Sequence, residues 1–204
     1  DMPRQVQITK DRILKAAMDV LIRDGFSAVN IKSVAKELSC STQPIAWQFG
    51  NMDSMRKALA KAAVAYANQK MTPTTTNAIE AFWWVGRAYI DLAFDTPNLF
   101  RFVYMGESRE YVRGGFDSIL TDKGNAALIN GLHQQLHISM EQAAQLFQRT
   151  VVYTHGIASL VVAGVLDCTE ERAYSLVLDF AADQLALTDA DLDVEQIMLN
   201  VSEG

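Results

Sequence analysis

The sequence predicts an all-α protein. Apolar residues recur at the three- and four-residue spacing of helices along nearly the whole chain, and the strict alternation of half-buried strands is absent. Only 4 of the 204 residues are proline, so long helices are not interrupted. Half of the residues are hydrophobic and 21% are charged, which is typical of a folded globular chain and not of a disordered one.

Local signals place four helices in the first third of the chain. The first is expected from Thr9, as its N-cap, to Asp24, with Gly25 as its C-terminal stop. Asn30 is expected to cap a second, short helix. The fourth is long and Ala-rich and starts at Asn51.

The third helix is expected over about 42–49. Residues 39–41 (Ser-Cys-Ser) form a break before it, and Ser41 is expected to cap it. Pro44 would lie in its first turn, where a missing N–H costs little.

At least five more helices are expected after the Thr-rich loop 72–77. Thr96 with Pro97, the Ser139–Gln142 capping box and Thr169 mark three helix starts. A further helix is expected over about 116–136, and a short last one over 193–201.

Composition bounds the cellular context and the chemistry. No apolar run approaches the roughly 20 residues that span a bilayer, and no secretion signal opens the chain, so we expect a cytoplasmic protein that does not bind a membrane. The two cysteines, Cys40 and Cys168, have no partner spacing, which argues against a disulfide framework or a metal site. We expect no cofactor.

Charge is distributed unevenly. Residues 1–70 carry eleven Lys and Arg against six Asp and Glu, whereas the remainder of the chain is strongly acidic and the whole has a net charge of −6. A basic N-terminal third on an acidic body indicates that only one end approaches a polyanion.

The segment "SCSTQPIAWQFGNMDSM" (39–55) carries the most specific signal. Two short helices joined by a tight turn, with a helix before and a long helix after, describe a helix-turn-helix unit, in which the second short helix enters the major groove of DNA. Gln pairs bidentately with adenine, and Thr contacts a thymine methyl group. The candidate DNA-binding residues are Lys32, Ser41, Thr42, Gln43, Pro44, Trp47 and Gln48. An alternative remains open, in which the polar residues are ordinary caps and Trp47 covers a small core with Ile45 and Phe49.

The stretch "ILKAAMDVLIRDGFSAVNIKSVAKELSCSTQPIAWQFGNMDSM" resembles the N-terminal domain of the TetR (tetracycline repressor) family. The matching positions are Ala16, Ala17, Gly25, Phe26, Val34, Ala35, Ser41, Ile45, Phe49, Asn51, Asp53 and Met55. The resemblance implies a helix-turn-helix DNA-binding domain over 1–51 and a larger helical domain over 52–204 that binds a small effector and forms a homodimer. It also implies a repressor that binds a palindromic double-stranded operator and that an unknown small molecule releases.

Two positions depart from the family pattern. Ala46 stands where the family usually has Tyr, and Met52 where it usually has Lys, and both family residues typically contact the DNA backbone. We expect Trp47, Gln48, Lys32, Lys10 and Arg4 to compensate. The alternative is a helical small-molecule-binding protein with weakened or lost DNA binding.

The body of the chain concentrates aromatic residues over 82–105, which fits an effector cavity as well as ordinary core packing. The candidate ligand-binding residues are Trp83, Tyr89, Phe102, Met105 and Tyr153. Arg87 and Arg101 would indicate an anionic ligand if either points inward. The helices around 146–166 and 170–187 are apolar on more than one face, so a second subunit is expected to cover them.

A helical enzyme is the remaining class of function. His133 and His137 are four residues apart but lack the glutamate of an HExxH motif, and His155 is more typical of a core or interface histidine than of a base. No convergent catalytic set is recognisable, so we expect no enzymatic activity.

Overall fold

The computed structural model describes residues 8–112 and 123–190, and these residues form nine α-helices and one short 3₁₀ helix, with no strand among them. The prediction of an all-α protein is therefore confirmed. Arg4, the start of the helix expected from 116 and the short helix expected over 193–201 lie outside the described residues. The α-helices are α1 (Lys10–Asp24), α2 (Ile31–Glu37), α3 (Gln43–Phe49), α4 (Met52–Lys70), α5 (Ala78–Asp95), α6 (Pro97–Tyr104), α7 (Lys123–Leu136), α8 (Met140–Val162) and α9 (Glu170–Ala186).

The chain divides into two compact units. Among the described residues, unit 1 comprises 8–67 and 96–112, and unit 2 comprises 68–95 and 123–190. Unit 1 therefore contains α1, α2, α3, most of α4 and α6. The boundary between DNA-binding and effector-binding functions at residues 51 and 52 stays a prediction.

Helix α1 is closed at both ends by side chains or backbone groups that its sequence signals predict. The Thr9 hydroxyl accepts a hydrogen bond from the backbone N–H of Arg12 at 3.3 Å, and Gly25 follows the helix with φ +88°, a conformation that L side chains rarely adopt. The amide of Asn98 in α6 donates to the carbonyls of Ile22 and Arg23 at 3.1 and 3.3 Å. A distant residue thus satisfies carbonyls that the end of α1 leaves open.

Helix α2 begins with a complete capping box. The side chain of Asn30 accepts from the backbone N–H groups of Lys32 and Ser33, both at 3.0 Å, and the Ser33 hydroxyl accepts in return from the Asn30 N–H. The predicted cap is confirmed. Buried Val34 and Ala35 on its inner face pack toward α1, whose buried side chains include Ile13 and Val20.

The turn between α2 and α3 ends one helix and leaves the next without a side-chain cap. Ser39 has φ +51°, its N–H donates to the Lys36 carbonyl, and the Cys40 N–H donates to the Ala35 carbonyl at 3.0 Å, which is a Schellman motif.

The expected cap of α3 by Ser41 is wrong. Helix α3 starts at Gln43 with Thr42 at the N-cap position, and no side chain caps it. The helix begins one residue later than predicted, so the N-cap position falls on Thr42 and not on Ser41. Thr42 has helical angles (φ −73°, ψ −17°), whereas a capping side chain needs an extended backbone to reach back to the helix N–H groups. Pro44 does lie in the first turn, as predicted.

Unit 2 packs α5, α7, α8 and α9 against one another. Helices α5 and α7 approach closely where Gly131 faces Ala78, since a Cβ built on Gly131 would lie 2.7 Å from the Ala78 Cβ. At the same place the side-chain oxygen of Gln135 accepts from the Ala78 N–H at 2.9 Å, so α7 caps the start of α5. The predicted capping box of Ser139 with Gln142 opens α8. The buried cluster beside this contact contains Ala78, Leu132, Leu136, Ile138, Ala143, Leu146 and Leu185.

Candidate functional sites

Helix α3 is held by one buried residue and presents its other face to solvent. Ile45 is 1% exposed and anchors the helix, whereas Gln43, Ala46 and Trp47 are exposed, Trp47 at 88%. The alternative in which Trp47 covers a small core is therefore wrong. A bare indole on a surface helix gains nothing from the hydrophobic effect, so this side chain is available to a partner.

The polar candidates next to α3 also face solvent. Lys32, Ser41 and Thr42 are exposed, and within the described residues the hydroxyls of Ser41 and Thr42 make no hydrogen bond. Two hydroxyls, the Gln43 amide, a lysine and an indole thus extend from one helix-turn-helix segment. These groups can donate to phosphate and read base edges.

The segment before α1 is tied to α3. The Gln48 amide donates to the Ile8 carbonyl at 3.2 Å, and the Lys10 ammonium lies 5.7 Å from the centre of the Phe49 ring. Half-buried Gln48 therefore positions the N-terminal segment and keeps only part of its amide for a partner. Lys10 stays exposed, so its charge lies beside α3.

The two departures from the family pattern differ in their surroundings. Ala46 is exposed on α3 and has no polar group to offer to a phosphate, whereas half-buried Met52 opens α4. Helix α4 begins one residue after the predicted start at Asn51, and the Asn51 side chain accepts from the Ser54 N–H at 2.8 Å.

Unit 2 encloses a cavity of about 480 Å³. The end of α4, the segment 71–73 and helices α5, α7, α8 and α9 line it, and its surface is mainly aliphatic and aromatic. Of the predicted ligand-binding residues, the structure brings Trp83 and Tyr89 into this lining. The sequence reasoning missed the aliphatic and hydroxyl-bearing part of the wall, which includes Leu128, Leu132, Leu136, Thr150, Thr154 and Val177. The four-residue spacing of the leucines in α7 was a signal of one helix face, but the prediction relied on aromatic residues.

Phe102, Met105 and Tyr153 are not among the lining residues. Phe102 and Met105 belong to unit 1. The Phe102 side chain is fully buried, and the centre of its ring lies 4.6 Å from the centre of the Phe26 ring, whereas Met105 is exposed. Tyr153 stacks on Phe180 with the ring centres 4.1 Å apart. The structure thus assigns Phe102 and Tyr153 to packing and does not bring these three residues to the cavity.

A hydrogen-bonded chain leads away from the cavity through His155. The Tyr89 hydroxyl lies 2.7 Å from His155 Nδ1, and the Ser159 hydroxyl lies 3.2 Å from His155 Nε2. Burial lowers the pKa of His155 below its ordinary value. The ring is therefore neutral at pH 7 and orients the tyrosine that contributes to the wall.

Two lining residues carry buried polar atoms without a partner among the described residues. They are the indole nitrogen of Trp83 and the hydroxyl of Thr150, a residue that is 5% exposed. Such groups are uncommon in folded proteins, because each forfeits the hydrogen bonds it makes in water. By contrast, the Thr154 hydroxyl donates to the Thr150 carbonyl at 2.8 Å.

Neither arginine that could have indicated an anionic ligand lines the cavity. Arg87 lies 5.0 Å from the centre of the Tyr174 ring, whose hydroxyl donates to the Asp91 carboxylate. Arg101, in unit 1, donates to the Asn98 side-chain oxygen at 3.1 Å.

The two histidines with i, i+4 spacing do not form a metal site in the described structure. His133 Nδ1 lies 2.5 Å from the Ile138 carbonyl, and exposed His137 has φ +55° just past the end of α7. Across residues 8–112 and 123–190, no group of three or more His, Cys, Asp or Glu is close enough to hold a metal ion.

Helix α8 exposes an apolar stripe. Val152 (53% exposed), Leu160 and Ala163 share one face with Gly156, where an added Cβ would meet no atom within 4 Å beyond the helix's own nearby backbone. Val165, just beyond the helix, is also exposed. A row of exposed aliphatic residues with a glycine between them is typical of a surface that another chain covers.

A protein-family model matches the N-terminal helices of the chain. Residues 13–59 match the model of the bacterial regulatory proteins of the tetR family, and this range contains most of α1, all of α2 and α3, and the start of α4. The helix-turn-helix therefore belongs to a class of DNA-binding transcriptional regulators. Residues 13–59 are therefore a domain of the tetR family. No curated protein matches the chain in sequence.

Solved structures share the fold over nearly the whole chain. A TetR-like transcriptional regulator from Rhodococcus sp. RHA1 is 16% identical, with a TM-score of 0.59 over 92% of this chain and 100% of that one. A variant of TetR from Acinetobacter baumannii AYE in complex with minocycline is 14% identical, with a TM-score of 0.54 over 88% of this chain and 95% of that one. RolR in complex with resorcinol is 12% identical, with a TM-score of 0.58 over 96% of this chain and 93% of that one. Within the described residues, no helix is both long and apolar enough to traverse a bilayer.

Proposed function

We propose that this protein is a dimeric, DNA-binding transcriptional repressor that a small-molecule effector releases from its operator. The observation that carries the proposal is the solvent-facing α3, on which Gln43 and Trp47 project away from the single buried anchor Ile45. A helix-turn-helix that presents polar and aromatic side chains in this way reads base edges in the major groove. The role needs no catalysis.

Charge supports the same surface. The basic balance of residues 1–70 supplies the phosphate attraction that dominates affinity for DNA, and exposed Lys32 and Lys10 lie in this part of the chain. We propose that these groups, together with Trp47 and Gln48, replace the backbone contacts that Ala46 and Met52 do not make.

The apolar stripe of α8 supports a homodimer. Covering Val152, Leu160 and Val165 with a second copy removes apolar surface from water, and Gly156 lets two helices approach closely. A two-fold dimer presents two copies of α3 to a palindromic operator.

The cavity of unit 2 supports an effector. Its volume of about 480 Å³ lies within the range of small-molecule sites, and two proteins of similar fold are described in complex with minocycline and with resorcinol. Effector and DNA would oppose each other because each favours a different spacing of the two recognition helices, a coupling of about 1–3 kcal/mol.

The test is an unbiased selection of bound DNA sequences followed by affinity measurements across salt concentrations. We expect Gln43→Ala to weaken binding to the selected sequence by about 1–3 kcal/mol with little effect on random DNA, because a base contact carries sequence information. We expect Lys32→Ala to weaken binding to the selected sequence and to random DNA alike, because a phosphate contact carries no sequence information. The slope of log affinity against log salt concentration should fall by about 1. Gln134→Ala, at an exposed position of α7, is the matched control and should change neither.

One alternative has a specific observation in its favour. Exposed Ala46 lacks the polar group that the family usually places there, so the chain could be a small-molecule-binding protein with weakened or lost DNA binding. Equal affinity for the selected sequence and for random DNA at physiological salt would favour that alternative and contradict the repressor.

A further inference from the structure

The chemistry of the cavity wall specifies a class of ligand. None of the described lining residues is Asp, Glu, Lys, Arg or His, and the polar groups in the wall are amides and hydroxyls and one indole. An ion that enters such a wall loses its hydration and gains no opposite charge, which costs far more than the burial of a neutral molecule. The wall therefore discriminates against carboxylates, phosphates and ammonium groups.

The volume sets the size of the ligand. An engineered cavity of about 150 Å³ holds one benzene molecule, so a cavity of about 480 Å³ has room for roughly three times as much, or about 20 non-hydrogen atoms. Rings and branched apolar groups suit the surface that Phe82, Phe147, Leu132 and Val177 provide.

The unpartnered groups specify a polar feature. The Trp83 indole is a donor only, and its nitrogen is buried without an acceptor among the described residues. The Thr150 hydroxyl, also without a partner, lies in the same wall. A ligand that brings an acceptor gives the indole N–H the hydrogen bond it lacks, and a ligand without one leaves it unpaired.

From these observations we infer that the effector is an uncharged, predominantly apolar molecule with a hydrogen-bond acceptor such as a carbonyl oxygen, which the indole N–H of Trp83 recognises. The inference rests on the proposed effector role of the cavity and adds its ligand class. The Thr150 hydroxyl offers the ligand a second hydrogen bond. The Tyr89 hydroxyl is hydrogen-bonded to the neutral ring of His155, so this part of the cavity wall carries no charge at pH 7.

The test uses three probes of similar size and the full chain. They are benzophenone (neutral, with a carbonyl acceptor), diphenylmethane (neutral, without an acceptor) and diphenylacetate (an anion), and calorimetric titration at pH 7 measures their dissociation constants. We expect benzophenone to bind about 3- to 10-fold more tightly than diphenylmethane, because one neutral hydrogen bond separates them. We expect diphenylacetate to bind at least about 100-fold more weakly than benzophenone.

Two variants assign the hydrogen bond. Trp83→Phe keeps an aromatic wall but removes the donor, so the preference for benzophenone over diphenylmethane should fall to about one. Trp84→Phe is the matched control, because this neighbouring indole is 38% exposed and does not line the cavity, and it should keep the preference. The comparison of probes on the unaltered chain stands even if Trp83→Phe folds poorly.

Three results would overturn the inference: diphenylacetate binding as tightly as benzophenone, no binding of either neutral probe, or an unchanged preference in Trp83→Phe. The proposed repressor fails in a different experiment. If the probes bind in the expected order and the protein still shows no sequence preference on DNA, the inferred ligand class is supported and the proposed repressor function is contradicted. Sequence-specific DNA binding with any of the three contrary results supports the regulator and overturns the ligand class.

Discussion

The contact between Gly131 and Ala78 makes the replacement Gly131→Ala a sharp test of the packing that forms the cavity wall. In a helix interior, alanine normally stabilises relative to glycine by about 0.5–1 kcal/mol. Here the new Cβ would lie 2.7 Å from the Ala78 Cβ, closer than methyl groups approach, so α5 and α7 must move apart. Overpacking of this kind costs about 1–3 kcal/mol. We therefore expect a net loss of about 1 kcal/mol in the free energy of unfolding.

Gly86→Ala supplies the matched control. Gly86 lies inside α5, and an added Cβ there meets no atom within 4 Å, so this variant should be about 0.5–1 kcal/mol more stable than the parent. The difference between the two variants cancels the helix-propensity effect and isolates the steric cost, about 1–3 kcal/mol.

Urea unfolding followed by circular dichroism at fixed protein concentration measures this difference. A change in midpoint at constant slope reports stability alone. Gly131→Ala should unfold at a lower urea concentration than the parent, and Gly86→Ala at a higher one. If Gly131→Ala proves as stable as Gly86→Ala, then α5 and α7 are not in the close contact described here.

The remaining predictions concern a cap and a titrating group. Asn30→Ala removes the acceptor of two N–H groups at the start of α2 and should lower the free energy of unfolding by about 1 kcal/mol. The control Asn130→Ala, at an exposed position within α7, should lower it by less than about 0.5 kcal/mol. Equal effects of the two replacements in urea unfolding would argue against the cap. Burial lowers the pKa of His155 in the folded chain below 6.5, so the unfolded chain binds the proton first as pH falls. Stability should therefore decline from pH 7 to pH 5, and His155→Gln should flatten that decline; parallel pH profiles of unfolding for the two proteins would contradict a buried, neutral His155.

The residues next to a helix end were sufficient to predict most of the helix caps. The caps at Thr9, Asn30 and Ser139 join groups two or three residues apart, so neighbouring residues decide them. The cap expected from Ser41 was wrong because α3 starts one residue later than expected, after the Schellman turn that closes α2, so the N-cap position falls on Thr42. Composition of a short segment did not reveal which residue would take the extended conformation that a cap requires.

Sequence by itself determined that the chain is helical, that α2 and α3 form a helix-turn-helix and that aromatic residues concentrate before residue 105, because periodicity, caps and family pattern are local properties. Tertiary structure alone decided which of those aromatics share a cavity. Trp83 and Tyr89 line it with aliphatic residues of α7, α8 and α9, while Phe102 packs on Phe26 in the other unit. The contacts that shape the wall, such as the Ala78 N–H on Gln135, join residues 57 positions apart. Such pairings follow from how whole helices pack against one another, and the pattern along any one helix does not contain them.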